Sequence, residues 1–450
     1  MSVSSRAGLS PRPAAAPPAL GARSWTTLIV LGLVGQIAWA VENMYLNVFV
    51  YDTLTGDPTV IATLVAASAI AATIGTMVVG TWSDRAGTRK PFITIGYVLW
   101  GLTTATFGFV QPGAGATAQV VGLAIVAIVL LDCVMSFFGS GANDASFQAW
   151  VTESTVPRNR GRVDGVLAIM PLVAMLIVFG VLDPFTKDGQ WRLFFGVVGI
   201  ATAVVGVLAW FLVRERGTVV APAESYTASL LFGLRPTTIR AYPRLYTLLA
   251  AQVVIGVASQ IYFPYLIIYI QRTLRIEAYA LVLASVLLTA SAISVLGGRV
   301  IDRVGKTRSI LPSAAVMLVG LVGMFFAREL VTVIVFGSLM IGGLMLTSVA
   351  IMASVRDATP ADRIGMVQGL RMIANVLVPM VVGPFLGSLV IMGAGETYED
   401  LGVVKPVPTA WIFLAAALVT LFVVIPVRRL RHHREPQLAV PAAQSDEQER

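Results

Sequence analysis

Three carboxylates stand inside long apolar stretches of this chain: Glu42, Asp132 and Asp144. A charged side chain at mid-bilayer costs about 2.5–3.5 kcal/mol on insertion scales, so an acid kept there is a candidate carrier of a proton or cation, or a ligand for a solute. Polar groups accompany each of them. Gln36, Asn43 and Asn47 recur at spacings of 7 and 4, which puts them on one helical face, with Glu42 about 100° away beside Trp39 and Tyr45. Asp132, Ser136, Ser140 and Asn143 form a second stripe, flanked by Asp144 and Gln148. Gln252 and Gln260 lie in a later run with Pro264, whose ring can break the helix and free a carbonyl. Gln368, Arg371 and Asn375 follow at i, i+3 and i+7. Arg371 is the one basic residue inside a run, and it must face a carboxylate (Asp144 or Asp84), reach a watery cavity or snorkel to the run's end. Amides bind hydroxyls and rings stack on the apolar faces of sugars, so Gln36, Trp39, Asn43 and Tyr45 suit the wall of a sugar site. The competing reading of every one of these residues is a structural hydrogen bond between helices.

Other chemistries find no residues. The only histidines, His432 and His433, sit in a basic C-terminal stretch, and Cys133 is the single cysteine. No metal-ligand cluster, no catalytic histidine and no Walker-type phosphate loop is present, so the expectation is a protein that is not an enzyme, holds no metal or cofactor and does not use ATP directly. Proton work must fall to carboxylates.

The elements that position these residues follow from composition. The chain is 56% hydrophobic and 12% charged over 450 residues, where soluble domains carry about 25% charged residues. Its mean hydropathy is +0.81. Such a chain needs a lipid bilayer as solvent. Twelve apolar runs are long enough to cross one as helices: 25–50, 58–81, 91–112, 118–149, 163–184, 191–213, 245–271, 277–299, 308–328, 331–355, 365–392 and 407–427. The fourth and eleventh are long enough to tilt or protrude. With both termini cytoplasmic, the inside segments hold 25 lysines and arginines and the outside loops 6, as the positive-inside rule requires. The net charge of +8 is therefore a property of membrane loops, not a footprint for nucleic acid. The expected organisation is a disordered N-terminal tail (1–24), a six-helix bundle (25–213), a central cytoplasmic loop with five arginines (214–244), a second six-helix bundle (245–427) and a basic C-terminal tail (428–450). Nothing in it requires more than a monomer.

The two halves repeat. Gly80, Asp84, Arg85 and Gly87 recur as Gly298, Asp302, Arg303 and Gly305, all displaced by 218 residues. Arg89 and Lys90 follow the first copy and Lys306 and Arg308 the second. Pro157 and Arg160 likewise answer to Pro360 and Arg363. Glycine permits the tight turn, and the basic residues stay at the anionic membrane surface.

This loop resembles the signature between the second and third helices of the major facilitator superfamily. The resemblance implies an all-α membrane fold of twelve helices in two pseudo-symmetric six-helix bundles, rocking about a central cavity. It implies that Asp84, Arg85 and Arg89, with Asp302 and Arg303, form contacts between the halves that hold one facing state. More narrowly, the stretch Asn143–Glu153 with the arginines after it, Leu234–Pro236 and Pro264–Tyr265 resemble the glycoside–pentoside–hexuronide:cation symporters. That resemblance implies a helix-four carboxylate, here Asp144, on sugar or coupling ion, and a helix-eleven cation, here Arg371. The melibiose-permease type holds sodium with acids on helix two. Span two here has none before Asp84, which favours protons over sodium and leaves Glu42, Asp132 or Asp144 as carrier. The expected function is proton-coupled uptake of a small polar solute, a sugar or glycoside, across a bacterial cytoplasmic membrane. The alternative is a proton-driven exporter of drugs or amphipathic compounds. Against it, span five lacks the Gly-Pro-x-x-Gly-Gly motif of such exporters, although Gly383-Pro384-Phe385-Leu386-Gly387 on span eleven is similar.

Overall fold

A computed structural model describes residues 21–113, 115–155, 157–215, 233–360, 364–400 and 403–432. Most of the expected tails (1–20 and 433–450), the middle of the central loop (216–232) and Arg363 lie outside the described residues. Among the described residues, twelve helices are long and apolar enough to span a membrane: α1 Ala22–Thr53, α2 Pro58–Ala86, α3 Lys90–Phe109, α4 Ala118–Ser154, α5 Arg162–Lys187, α6 Trp191–Leu212, α7 Pro243–Thr273, α8 Tyr279–Val304, α9 Lys306–Phe326, α10 Leu330–Asp357, α11 Met366–Ala394 and α12 Trp411–Leu430. Each overlaps one expected run. Leu123, Phe211 and Val295 are among many large apolar side chains left facing outward, as a lipid-facing belt requires.

The repeated loops show why the repeat contains its second glycine. α2 ends at Gly87 with φ 66° and α8 at Gly305 with φ 103°, a region that side chains with a Cβ rarely enter. Close helix approach also depends on missing side chains. A Cβ on Gly75 of α2 would lie 2.3 Å from the Phe137 carbonyl oxygen of α4, so only glycine lets these two helices touch at that level.

Five of the described helices are not regular. α1 widens to π geometry over Val41–Leu46, α4 over Ser140–Phe147, α5 over Val178–Leu182, α7 over Tyr269–Thr273 and α11 over Ile373–Leu377. A π turn inserts an extra residue and rotates everything beyond it, and such turns concentrate at functional sites. Between α11 and α12 the chain forms an antiparallel hairpin of β1 Thr397–Asp400 and β2 Val403–Pro406, pairing Thr397 with Pro406.

Candidate functional site

The inner pocket lies where α1, α2 and α4 meet α11. It has a volume of about 190 Å³, and its polar lining is Glu42, Asn43, Ser68, Ser140 and Asp144, with Trp39 on one side. Met372, Val376 and Met380 of α11 close it from the other half. Glu42 is 6% exposed. One of its oxygens accepts from the Ser136 hydroxyl at 2.6 Å, and the other has no partner among the described residues. Asp144 accepts from Ser140 at 2.9 Å and opens into the cavity. Asp132 is 1% exposed, deeper between the helices, with one oxygen unpartnered. No described residue forms an ion pair with any of these three acids. Burial without a cation favours the neutral form of a carboxyl in general.

Asp144, Met372 and Val376 also wall a wider vestibule of about 480 Å³, which runs past Thr76, Gln148, Gln368, Arg371 and Asn375 to Asp84 and Arg89 at the end that holds the termini. Arg371 donates to Gln368 at 3.0 Å. It shares the vestibule with Asp84 and Asp144 but pairs with neither, so its charge faces the cavity. Asn375 donates weakly to the Met352 sulfur at 3.7 Å and leaves its oxygen unpartnered.

The opposite end is shut by contacts between the halves. Asp183 of α5, 1% exposed, accepts from Tyr45 of α1 at 2.8 Å and from Tyr279 of α8, and pairs with Lys187 at 3.0 Å. Arg272 of α7 meets Asp52 of α1 at 2.6 Å. Tyr265 of α7 donates to the Pro58 carbonyl of α2 at 3.0 Å. The hairpin adds Lys405, which donates to the Tyr51 carbonyl at 3.1 Å. The chain is thus open at the termini end and closed at the other.

The signature loop is built within one half. Arg89 is 4% exposed. It contacts Asp84 at 2.5 Å, Glu153 at 2.8 Å and the Ser83 hydroxyl at 2.6 Å, while Glu215 accepts from its backbone N–H. Burial pushes the Arg89 guanidinium down, but the hydrogen bonds it donates to Glu153 and Asp84, with their negative charges, outweigh it and hold it above its ordinary value. α4 is 37 residues long, and its last turn, beyond the expected end at 149, is what carries Glu153 to this arginine. The second half repeats the device with other residues: Lys306 pairs at 2.7 Å with Asp357, at the end of α10. Arg85, Asp302 and Arg303 are exposed. Among the described residues, the ion pairs of Asp84 and Arg89 stay within their own half, and none joins Arg85, Asp302 or Arg303 to the other half. A Cβ on Gly80 would lie 3.4 Å from that of Ala145 of α4, and one on Gly298 would meet nothing within 4 Å.

Several expected positions are also rearranged. The stripe of α4 places Asn143 in line with Asp132, but the π turn at Ser140–Phe147 advances the helix by a residue and puts Asp144 there instead. Asn143 is 2% exposed and packs against Gly35 of α1. On α1 the π turn brings Glu42 and Asn43 into the pocket together, although regular spacing separates them by about 100°. Gln36 is half-buried and lines neither cavity, and Asn47 is buried and donates to the Asn43 carbonyl at 2.8 Å. Tyr45 belongs to the closed end and not to the pocket wall. Gln252 is buried on α7 and Gln260 packs on Gly383 of α11; neither reaches the cavities. Residues that the sequence did not single out are Asp183, Tyr279 and Met380. Glu153 was visible only as part of a motif. Nothing local marks Asp183, whose partners come from helices 138 and 96 residues away.

Solved structures share this fold. The nucleoside transporter NupG is 14% identical, with a TM-score of 0.66, over 90% of this chain and 98% of that one. A bacterial homologue of the human lysosomal transporter Spinster, inward-facing and unoccupied, is 14% identical at a TM-score of 0.63, over 91% and 96%. The xylose transporter XylE from E. coli is 14% identical at 0.62, over 88% and 96%. No curated protein sequence matches the chain significantly. The family profile of the Major Facilitator Superfamily matches residues 28–378 and, in an overlapping second match, 248–449. With twelve spanning helices, a cavity between its halves and a profile match over most of its length, this chain belongs to the Major Facilitator Superfamily of membrane transporters.

Proposed function

We propose that this protein is a proton-coupled symporter that brings a small polar organic solute, a sugar or glycoside, into a bacterial cell across the cytoplasmic membrane. With both termini cytoplasmic, the state described above is inward-open. The observation that carries the reading is Glu42: a buried carboxyl on the cavity wall, with an unpartnered oxygen, a serine on the other and no cation beside it. Such a group can hold a proton while the cavity changes sides and release it where water reaches it. Asp144, at the junction of pocket and vestibule, is placed to pass protons or bind hydroxyls, and Asp132 sits behind as a further acceptor. The glycoside–pentoside–hexuronide:cation resemblance supports the same reading through Asp144 and Arg371. The second reading, export of amphipathic compounds by proton antiport, draws on the apolar face that α11 presents to the pocket.

The test is lumen acidification in proteoliposomes loaded with a pH dye and challenged with mono-, di- and oligosaccharides. Acidification by one sugar, lost in Glu42→Gln or Asp144→Asn, supports symport. Silence across the panel with folded protein, together with resistance of an expressing strain to toxic amphiphiles, transfers the reading to export.

A further inference from the structure

The inner pocket has two unlike walls. Glu42, Asn43, Ser68, Ser140 and Asp144 all come from the N-terminal half, while the C-terminal half supplies only Met372, Val376 and Met380. A hydroxyl pressed against that second wall gives up water and finds no partner there. A bare polyol therefore suits half of the pocket. The same asymmetry continues past α1. Asn43 lines the polar pocket, and its neighbour Met44 lines a separate chamber of about 100 Å³ whose walls, among them Phe179, Phe263, Val286 and Met340, offer no polar surface. Methionine is the flexible, polarisable side chain that moulds itself to an aromatic or alkyl group.

We propose that the cargo is amphipathic: a glycoside whose hydroxyls meet the acids and amide of α1 and α4, and whose apolar substituent, aryl or short alkyl, rests on Met372, Val376 and Met380 of α11. This rests on the reading above that the pocket takes a polar solute, and it names which member of that class fits. The substituent does not enter the proton chemistry. It supplies affinity by burying apolar surface against the α11 wall of the inner pocket, whose side chains there are all apolar.

The experiment is a titration of full-length protein in lipid nanodiscs, with empty nanodiscs as the control. The readout is tryptophan fluorescence, since Trp39 lines the pocket. The ligands are matched methyl and phenyl glycosides of several hexoses and pentoses. The phenyl member should bind about tenfold or more tightly than its methyl partner. Met380→Gln and Val376→Asn should each bring that ratio below about threefold, while Met380→Leu keeps it. A methyl glycoside that binds as tightly as its phenyl partner overturns the amphipathic cargo and leaves the sugar reading standing. A high ratio that survives Met380→Gln and Val376→Asn overturns the α11 seat and moves the substituent elsewhere, to the chamber or to lipid. Binding of neither member of any pair sinks both readings.

Discussion

Tyr279→Phe should open the end of the molecule opposite the termini. Tyr279 belongs to the second half, and its hydroxyl donates to the buried Asp183 carboxylate of the first. When the halves part at this end, that bond must break, whereas Tyr45 and Lys187 stay with Asp183 in their own half. Only the closed state therefore loses stability in the variant. A hydrogen bond to a charged acceptor is worth about 1.5–3 kcal/mol. Lys187 is 45% exposed, so water reaches the rim of this cluster and the lower figure is the better guide. A loss of ~1.5 kcal/mol moves the equilibrium between facing states about tenfold toward the form that is open at this end. Spin labels at Thr53 of the first half and Glu277 of the second, both at this end, report the change as distance distributions after Cys133 is replaced by serine. The long-distance population should rise about tenfold in Tyr279→Phe, and the same substitution should do little in an Asp183→Asn background. Distances unchanged in both variants would show that the other contacts at this end, Arg272 with Asp52 and the hairpin, hold it shut alone.

Other outcomes follow from the same geometry. Arg89→Ala strands Glu153 and Asp84, which are 37% and 25% exposed; partial screening reduces the usual cost of breaking a buried pair to ~2 kcal/mol, read as a lower thermal unfolding temperature. Because Arg89 titrates above its ordinary value, its contribution is present in full below that ordinary value and lost only as pH rises beyond it. Unfolding profiles up to about pH 9 should show no arginine-dependent loss, and a fall there that disappears in Arg89→Ala would contradict the assignment. Gly75→Val forces a branched side chain into the Phe137 carbonyl and should cost about 1–3 kcal/mol or prevent folding, as seen by size-exclusion chromatography; a monodisperse protein of normal stability would mean that α2 and α4 do not touch as described. Ser136→Ala removes the one partner of Glu42 and should alter the pH dependence of transport while leaving expression intact; an unchanged profile would separate Glu42 from coupling.

Much of this molecule was legible in its residues. A chain this apolar can satisfy its backbone in lipid only as helices, so the number and rough limits of the spans follow from composition alone. The displaced Gly–Asp–Arg–Gly loops declared two halves, and the positive φ of Gly87 and Gly305 is the physical reason that both loops keep their second glycine. The intramembrane acids pointed toward the candidate pocket, which Glu42 and Asp144 line, because a carboxyl in hydrocarbon is costly. Which face of each helix meets the cavity was a different matter. A 3.6-residue period assumes a regular helix, and the π turns in α1 and α4 break it at the residues that count. They seat Glu42 beside Asn43 and replace Asn143 by Asp144. The partners of Arg89 and Asp183 were hidden for another reason. Glu153 is 64 residues from Arg89, and Tyr45 and Tyr279 lie 138 and 96 residues from Asp183, so no local pattern joins them. The spans and the charges were set by the solvent each residue must meet, which a sequence records. The pairing of charges, the open end and the two-faced pocket were set by how twelve helices pack, and only the tertiary structure decided them.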